Sequence, residues 1–456
     1  MRRDENVGRL DPIRPNGTSF VRDVTIPGCT TSGELQTVRQ FSFQSLHWNW
    51  YSRIHICGKA QIMHMILLFA TAVLFAPRLG SAADESLWMA GASSAVITPD
   101  ESMWMAGYAS RKGPSEGKLT ELYAKVLAVQ DTDGKRAVFV TCDLISIPKP
   151  LREQVAKAAQ EKYQIDPAGL LLNCSHTHCG PVVRDNVEMS VMYDLDSIHA
   201  SRVERYFISL RDRIVDAIGK AIAKSVPSTL GFGYARCGIA MNRRLPTSAG
   251  YQNKPFSDGV VDHQVPVLRV DSKDGQLMAI MFGYACHNTS TALMQFNADY
   301  AGYAQEEIEK QHRGTVALFM MGCGGDQNPY PRGKIEHAQK SGIALATAVE
   351  AALLTEPKSI RGPLRFAYEE IDLPFAPFSN DEIAKWKESK DNYDQRRAAY
   401  LLKEIETNGR VRPSYPYPIQ SIRFGTDLTL IALGGEVVVD YSLRIKREHQ
   451  GAVWVA

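Results

Sequence analysis

Apolar runs of six to nine residues, each closed by a short polar cluster, set the pattern of this chain. RAVFVTC (136–142) ends at Asp143, LLLNCS (170–175) at His176-Thr177-His178, and MAIMFGYAC (278–286) at His287. TVALFMMGC (315–323) runs into Gly324-Gly325-Asp326, and LTLIALG (428–434) into Gly435-Glu436. Apolar runs of this length read as buried strands. Between them the period changes. KPLREQVAKAAQEKY (149–163) has helical spacing with a proline near its start, and residues 199–226 set Val203, Phe207, Leu210, Ile214, Ile218 and Ile222 on one stripe. Further helices are expected at 299–312, 333–354 and 379–407. Val265–Val270 and Gln276–Ala285 flank Asp274-Gly275, a hairpin signal.

Strand and helix thus alternate through residues 136–360. That predicts an α/β fold: a largely parallel or mixed β-sheet flanked by helices on both faces, with the active site at the carboxyl ends of the strands. In the tail, PIQSIRFG and DLTLIAL read as paired strands, Glu436 as the opening of a helix through about His449, and GAVWVA (451–456) as the start of another strand. On this reading the α/β domain is incomplete at its C-terminus. Strand ends of such a sheet share one crevice, so the polar clusters should meet there and line it with three histidines and two acids. Imidazole and carboxylate are the usual ligands of a catalytic zinc, which favours a metal-assisted hydrolase over a binding scaffold.

Composition narrows the partners. The chain has 456 residues, of which 44% are hydrophobic, and is long enough to bury a large core. Its 52 basic and 50 acidic residues leave a net charge of +2, with no basic run to serve as a nucleic-acid footprint. A small or lipid-like substrate is expected, a peripheral membrane contact is compatible with it, and no obligate protein partner is implied. Residues 63–82 carry the apolar run ILLFATAVLFA, basic residues Arg53 and Lys59 upstream, and small residues Gly80-Ser81-Ala82, the layout of a secretory signal. The expected organisation is a non-native extension at 1–62, the signal at 63–82 and the α/β catalytic domain at 83–456, in a secreted or periplasmic protein. Of eight cysteines, Cys142, Cys174, Cys179, Cys237, Cys286 and Cys323 follow the signal, and five of the six sit at strand ends. Small buried hydrophobes describe them better than a disulfide framework does.

His176 and His178, one residue apart in an extended segment, would project to the same side before Gly180-Pro181 turns the chain. Two imidazoles aimed into one cavity suit a metal, although a lone histidine is more often a satisfied structural group. The turn at Gly322–Asp326 lets backbone N–H groups approach a ligand, and serves equally well as a tight strand-to-helix connection. Glu436 taken alone reads as an acid at a helix start, favoured by the macrodipole. Asn242-Arg243-Arg244 follows the strand STLGFGYA in a polar loop, where Arg243 is either solvated or a donor to an oxyanion or a head group.

In order, GASSAVITP (91–99), MAGYA (105–109), H-T-H-x-G-P (176–181), N-R (242–243), H-N-T-S (287–290), D-x-x-G-Y (299–303), G-D-Q-N-P (325–329) and G-G-E (434–436) resemble the neutral/alkaline non-lysosomal ceramidase family over about residues 90–456. That family's catalytic domain holds one zinc through a histidine of each histidine motif, the glutamate after the late strand and a tyrosine further downstream. The resemblance implies His176, His287 and Glu436 as ligands of one Zn2+ per chain. It places His178 and Arg243 where substrate or transition state is contacted. Two departures stand out. Where the family has G-D-x-S-P-N, with the serine proposed as a catalytic group, this chain reads Gly325-Asp326-Gln327-Asn328-Pro329-Tyr330, and the amide of Asn328 cannot act as a nucleophile in the same way. The stretch expected to carry the ligand tyrosine, and the family's smaller C-terminal β-sandwich domain, would lie beyond Ala456.

The function expected is ceramidase-like hydrolysis of an amide (N-acyl) bond by a zinc-activated water, within sphingolipid or wider lipid metabolism. His178 is the candidate proton shuttle, and Arg243 and the Gly324-Gly325 backbone are candidate oxyanion or head-group donors. Asp143 or Asp326 would orient a ligand histidine from behind, and Asn328 would hydrogen-bond the substrate. A non-catalytic lipid- or carbohydrate-binding relative that keeps the fold would have no need of all three ligands. A metal-dependent phosphoesterase would want a two-metal, carboxylate-rich site.

Overall fold

The structure, a computed structural model, describes residues 88–456 apart from 109, 185–192, 194, 377 and 378. The expected extension (1–62) and signal (63–82) lie outside the described residues. From the N-terminal side the elements are β1 (Trp88–Val96), β2 (Tyr123–Gln130), β3 (Arg136–Cys142), α1 (Lys149–Tyr163), β4 (Leu170–Cys174) and α2 (Ser197–Ala223). Then come β5 (Val226–Arg236), β6 (Ala240–Thr247), β7 (Gly250–Phe256), β8 (Gln264–Ser272), β9 (Leu277–Tyr284), α3 (Asp299–Gln311), β10 (Val316–Met321) and β11 (Gln327–Pro329). The remainder comprises α4 (Ile335–Leu354), β12 (Lys358–Ser359), β13 (Leu364–Pro374), α5 (Asn380–Lys387), α6 (Asn392–Asn408), β14 (Ser414–Phe424), β15 (Leu428–Leu433), α7 (Val439–Glu448) and β16 (Val453–Val455). Among the described residues no helix is long and apolar enough to cross a membrane.

The main sheet has the order β10-β9-β8-β5-β1-β2-β3-β4, with β12 on β5, and it is mixed rather than largely parallel. In each of its parallel ladders, β3–β4 and β9–β10, a helix, α1 or α3, links the two paired strands. Parallel neighbours need such a crossover, whereas hairpin-linked strands such as β8 and β9, joined through Asp274-Gly275 with Gly275 at φ +82°, can pair only antiparallel. The sheet curls until its outer strands meet. There the Asn173 side chain takes the place of a ladder, Oδ1 accepting from Met321 N at 2.8 Å and Nδ2 donating to Met321 O at 3.2 Å.

Alternation along the strands sorts the core. Val126, Val138 and Val140 face α1 and α2, with Leu151, Val155, Phe207, Leu210 and Ile214 packed on them. Ile280, Phe282 and Phe319 face α3 and α4. The helices therefore lie outside both halves of the curled sheet. The alternate residues Leu127, Phe139, Leu268, Met281 and Leu318 point inward and share one cluster with Ile422, Phe424, Leu430 and Trp454 of a second sheet, β13-β14-β15-β16. A third small sheet, β11-β6-β7, packs beside the first. Cys142, Cys179, Cys237, Cys286 and Cys323 are buried and unpaired, as expected of small hydrophobes.

Three local expectations are corrected. Residues 379–407 form two helices, because Asp391 caps a new one by accepting from Tyr393 N. Glu436 precedes a helix rather than opening it, since α7 starts at Val439. Asn242-Arg243-Arg244 lies on β6, pinned by the ladder that sets Asn242 opposite Gln327.

Phe424 ties the two sheets together, its ring 5.7 Å from that of Trp88 and 6.2 Å from that of Phe139. Phe424→Ala should lower the unfolding free energy by about 3–5 kcal/mol. Urea unfolding followed by tryptophan fluorescence measures this, and a loss under about 1 kcal/mol would mean that the second sheet contributes little to the core.

Candidate metal centre and active site

Because β3 and β4 run parallel, β9 and β10 run parallel, and Asn173 joins β4 to β10, the carboxyl ends of these four strands come to one rim. β15 delivers Glu436 to the same place. The three histidines are then neighbours: ring centroids lie 4.7 Å apart for His176–His287, 4.9 Å for His176–His178 and 5.7 Å for His178–His287. One ligand nitrogen from each fits within 4.8 Å of the others. Glu436 closes the group, Oε2 at 3.0 Å from His287 Nε2 and Oε1 at 3.6 Å from His176 Nε2.

Two backbone carbonyls set the chemistry of these rings. His176 Nδ1 lies 2.7 Å from Ile145 O and His287 Nδ1 2.8 Å from Gly324 O. A carbonyl oxygen only accepts, so each Nδ1 carries a proton and each ring turns its Nε2 toward Glu436. Burial, reinforced by the nearby His287, holds His176 down at about 4, so its ring is neutral near pH 7. Burial followed by His176 and His287 pushes His178 well below the usual histidine range. Burial would raise Glu436, but contact with His287, then His176 and Arg243, outweighs it and leaves the carboxyl ionised, at about 2. Two ring nitrogens and the carboxylate therefore converge at 3.0–3.6 Å. Imidazole nitrogens with a carboxylate make a zinc-like donor set.

His176 does not sit in extended backbone, as the sequence suggested. Its φ is +58°, a left-handed conformation costly for a side chain with a Cβ. Even so, the Nε2 atoms of His176 and His178 come within 3.2 Å. His178 Nδ1 is buried without a partner, the Tyr108 ring lies 4.9 Å away at a tilt of 59°, and Gly107 is close enough that a Cβ there would lie 2.5 Å from His178 Cγ. Sequence reasoning noted the MAGYA motif but gave Tyr108 no role. It also gave none to Asp299, whose carboxylate accepts from Ser290 N and Thr291 N and so fixes the loop that carries His287.

Arg243 reaches the centre. Its Nη2 donates to Gly325 O at 2.7 Å and lies 3.6 Å from Glu436 Oε2, while Nη1 meets Asn328 Oδ1 at 3.4 Å. The Gly324 and Gly325 N–H groups are already engaged, with Gly322 O and Val437 O, so this backbone offers carbonyls to the site rather than donors. Gly325 must be glycine, since a Cβ there would lie 2.4 Å from Glu436 O. Neither candidate acid orients a ligand histidine, a task taken by Ile145 O and Gly324 O. Asp326 instead accepts from Val439 N at 3.0 Å and Asn242 Nδ2 at 3.4 Å, tying the turn after Glu436 to β6. Asp143, pushed up to about 6 by burial, accepts from Tyr123 N.

His176, His287 and Glu436 open onto a cavity of about 700 Å³, walled by Leu172, Met321, Tyr417 and Pro418 among others. His178 and Arg243 reach the cluster without lining that cavity, and Asn328, which touches Arg243 and Thr289, does not line it either.

Residues 88–365 match the family model described as neutral/alkaline non-lysosomal ceramidase, N-terminal. The chain is 28% identical over 229 residues to neutral ceramidase B of Dictyostelium discoideum and 27% identical over 232 residues to neutral ceramidase A of the same organism, 46% of this chain in each case. The matched stretch spans 31% of the length of either relative. Among solved structures, the fold is similar to neutral ceramidase from Pseudomonas aeruginosa, with a TM-score of 0.63 at 22% identity, covering 80% of this chain and 65% of that one.

Asp326→Ala should cost about 1–3 kcal/mol, because Val439 N is left buried without an acceptor, and should loosen Glu436 enough to weaken metal binding. Asp326→Asn keeps an acceptor and should lose less on both counts. Denaturant melts and metal titration of the two variants check this, and unchanged metal affinity in Asp326→Ala would show that Glu436 does not depend on the tie.

Proposed function

The chain belongs to the neutral/alkaline non-lysosomal ceramidase family, and on that premise we propose that it is a zinc-dependent hydrolase of N-acyl amide bonds, with ceramide or a related N-acyl lipid as substrate. The observation that carries this reading is the convergence of two carbonyl-fixed imidazoles on an ionised carboxylate at one rim. Among the described residues His176, His178 and His287 form the one grouping of three or more potential metal ligands, with Glu436 beside it, which favours a single ion over the two-metal phosphoesterase site.

His176, His287 and Glu436 would hold the ion. Bound there, zinc acts as a Lewis acid toward the amide carbonyl and brings water deprotonation near neutral pH. The rest falls to side chains. His178, neutral because buried, accepts a proton at Nε2 and returns it to the leaving amine nitrogen, which would otherwise depart as a poor anion. Arg243, anchored by Gly325 O with its side chain 11% exposed, offers a fixed positive charge where the carbonyl oxygen gains negative charge. The adjoining cavity, with its apolar Leu172, Met321 and Pro418, accommodates the acyl chain or its lipid partner.

Elemental analysis should find about one zinc per chain, and a chelator should abolish cleavage of a fluorogenic N-acyl sphingosine, with zinc restoring it. His176→Ala should lose the metal and at least about 10³-fold in kcat/KM. Cleavage that survives complete removal of metal would overturn the mechanism, and hydrolysis of phosphodiesters in preference to amides would overturn the substrate class.

A further inference from the structure

The cavity that His176, His287 and Glu436 open onto has charged groups elsewhere in its wall. From Ile145, whose carbonyl holds His176, the lining continues through Ile147 to Lys149 and Arg152 of α1, and Tyr368 and Glu370 of β13 line it beside them. Lys149 and Arg152, three residues apart, share one face of the helix. Two of the charges cancel. Lys149 Nζ lies 2.7 Å from Glu370 Oε2, and the Tyr368 hydroxyl donates to Glu370 Oε1 at 2.9 Å, so both carboxylate oxygens are engaged. Contact with Lys149 holds Glu370 below the usual carboxylate range, and it is ionised. Arg152 is left over. Its guanidinium carbon lies 3.8 Å from the centre of the Tyr368 ring and its Nη2 donates to Pro167 O at 3.1 Å, but among the described residues it forms no ion pair. A guanidinium carries five N–H donors and stays charged at any physiological pH. The ring contact and the Pro167 carbonyl fix its plane and leave further N–H groups for a ligand. Glu436 belongs to the metal group, so the remaining side-chain charges of the lining are two cations and one acid, an excess of one positive charge.

We propose that this cavity takes N-acyl amides that end in an anionic oxygen group, a carboxylate or a phosphate monoester, and that Arg152 is the specificity-determining residue that grips it. This rests on the hydrolase reading above. The lining also includes Ile147, Leu171 and Leu172, so the ligand it fits is amphipathic, with hydrocarbon between the amide at the metal group and the anion at Arg152. Carboxylate and phosphate oxygens match the planar guanidinium fork with two parallel hydrogen bonds. An uncharged chain laid over Arg152 would strip water from a cation and give it no partner, which costs free energy. The same side chain therefore selects for anionic ends and against wholly apolar ones.

The test uses the zinc-loaded full chain and fluorogenic N-acyl amides that differ at one end only, in a methyl, a carboxylate or a phosphate group. One series carries that group at the far end of the acyl chain and the other on the amine half, so the two series show which half of the substrate reaches Arg152. In at least one series the anionic substrates should have KM at least about tenfold below that of the methyl-ended one. Their kcat should agree within about threefold, because a contact remote from the reacting bond is as strong in the ground state as in the transition state. Added salt should narrow the difference in KM. Arg152→Gln keeps a donor for Pro167 O but removes the charge, and should bring the KM of anionic and methyl-ended substrates within about twofold of each other. Arg152→Lys should fall between, and Glu370→Gln, which frees Lys149, should widen the anionic preference. The wild-type comparison stands even where a variant fails to fold. Equal KM across both wild-type series, or an anionic preference that survives intact in Arg152→Gln, would overturn the assignment and leave amide hydrolysis standing. If no amide of either series is cleaved, the hydrolase reading fails and this inference fails with it.

Discussion

Two peptide carbonyls, Ile145 O and Gly324 O, govern the rest of this molecule's chemistry. By accepting from the Nδ1 atoms of His176 and His287 they choose the tautomer of each ring and aim each Nε2 at Glu436. A side-chain acid in either position could titrate or swing; a carbonyl at the end of a strand can do neither. The carbonyls in turn are placed by the backbone. Ile145 follows β3 by three residues, and Gly324 follows β10 by three, so the geometry of the centre is inherited from two parallel ladders.

The cost of that arrangement is visible next to it. His176 adopts a left-handed backbone conformation, Asp299 does the same at the start of α3, and Gly325 approaches Glu436 too closely for any side chain. Strain of this kind persists only where surrounding structure overdetermines it. Here the surroundings are the closure of the main sheet by Asn173, the Asp299 carboxylate bonded to the 290–291 backbone, and the Asp326 tie between α7 and β6. Each is a polar side chain that satisfies backbone N–H groups of another segment. Hydrophobic burial then fixes the two sheets against each other around Phe424 and Trp454.

Much was legible in the sequence. The apolar runs ending at Asp143, His176, His287, Gly324 and Glu436 are strands, the stripe from Val203 to Ile218 is a buried helix face, and the histidines and Glu436 do meet, because periodicity and strand-end placement are local properties that a chain carries in its own order. What the residues do to one another was not legible. Asp143 and Asp326 looked like orienting acids and proved to satisfy backbone N–H groups, while the Gly324-Gly325 amides looked free and are taken by Gly322 O and Val437 O. Arg243 looked like a loop residue and is a strand residue gripped by Gly325 O. The meeting of β4 with β10 and the contact of Asn328 with Arg243 depend on partners more than eighty residues away, and only the folded chain decides which donor finds which acceptor.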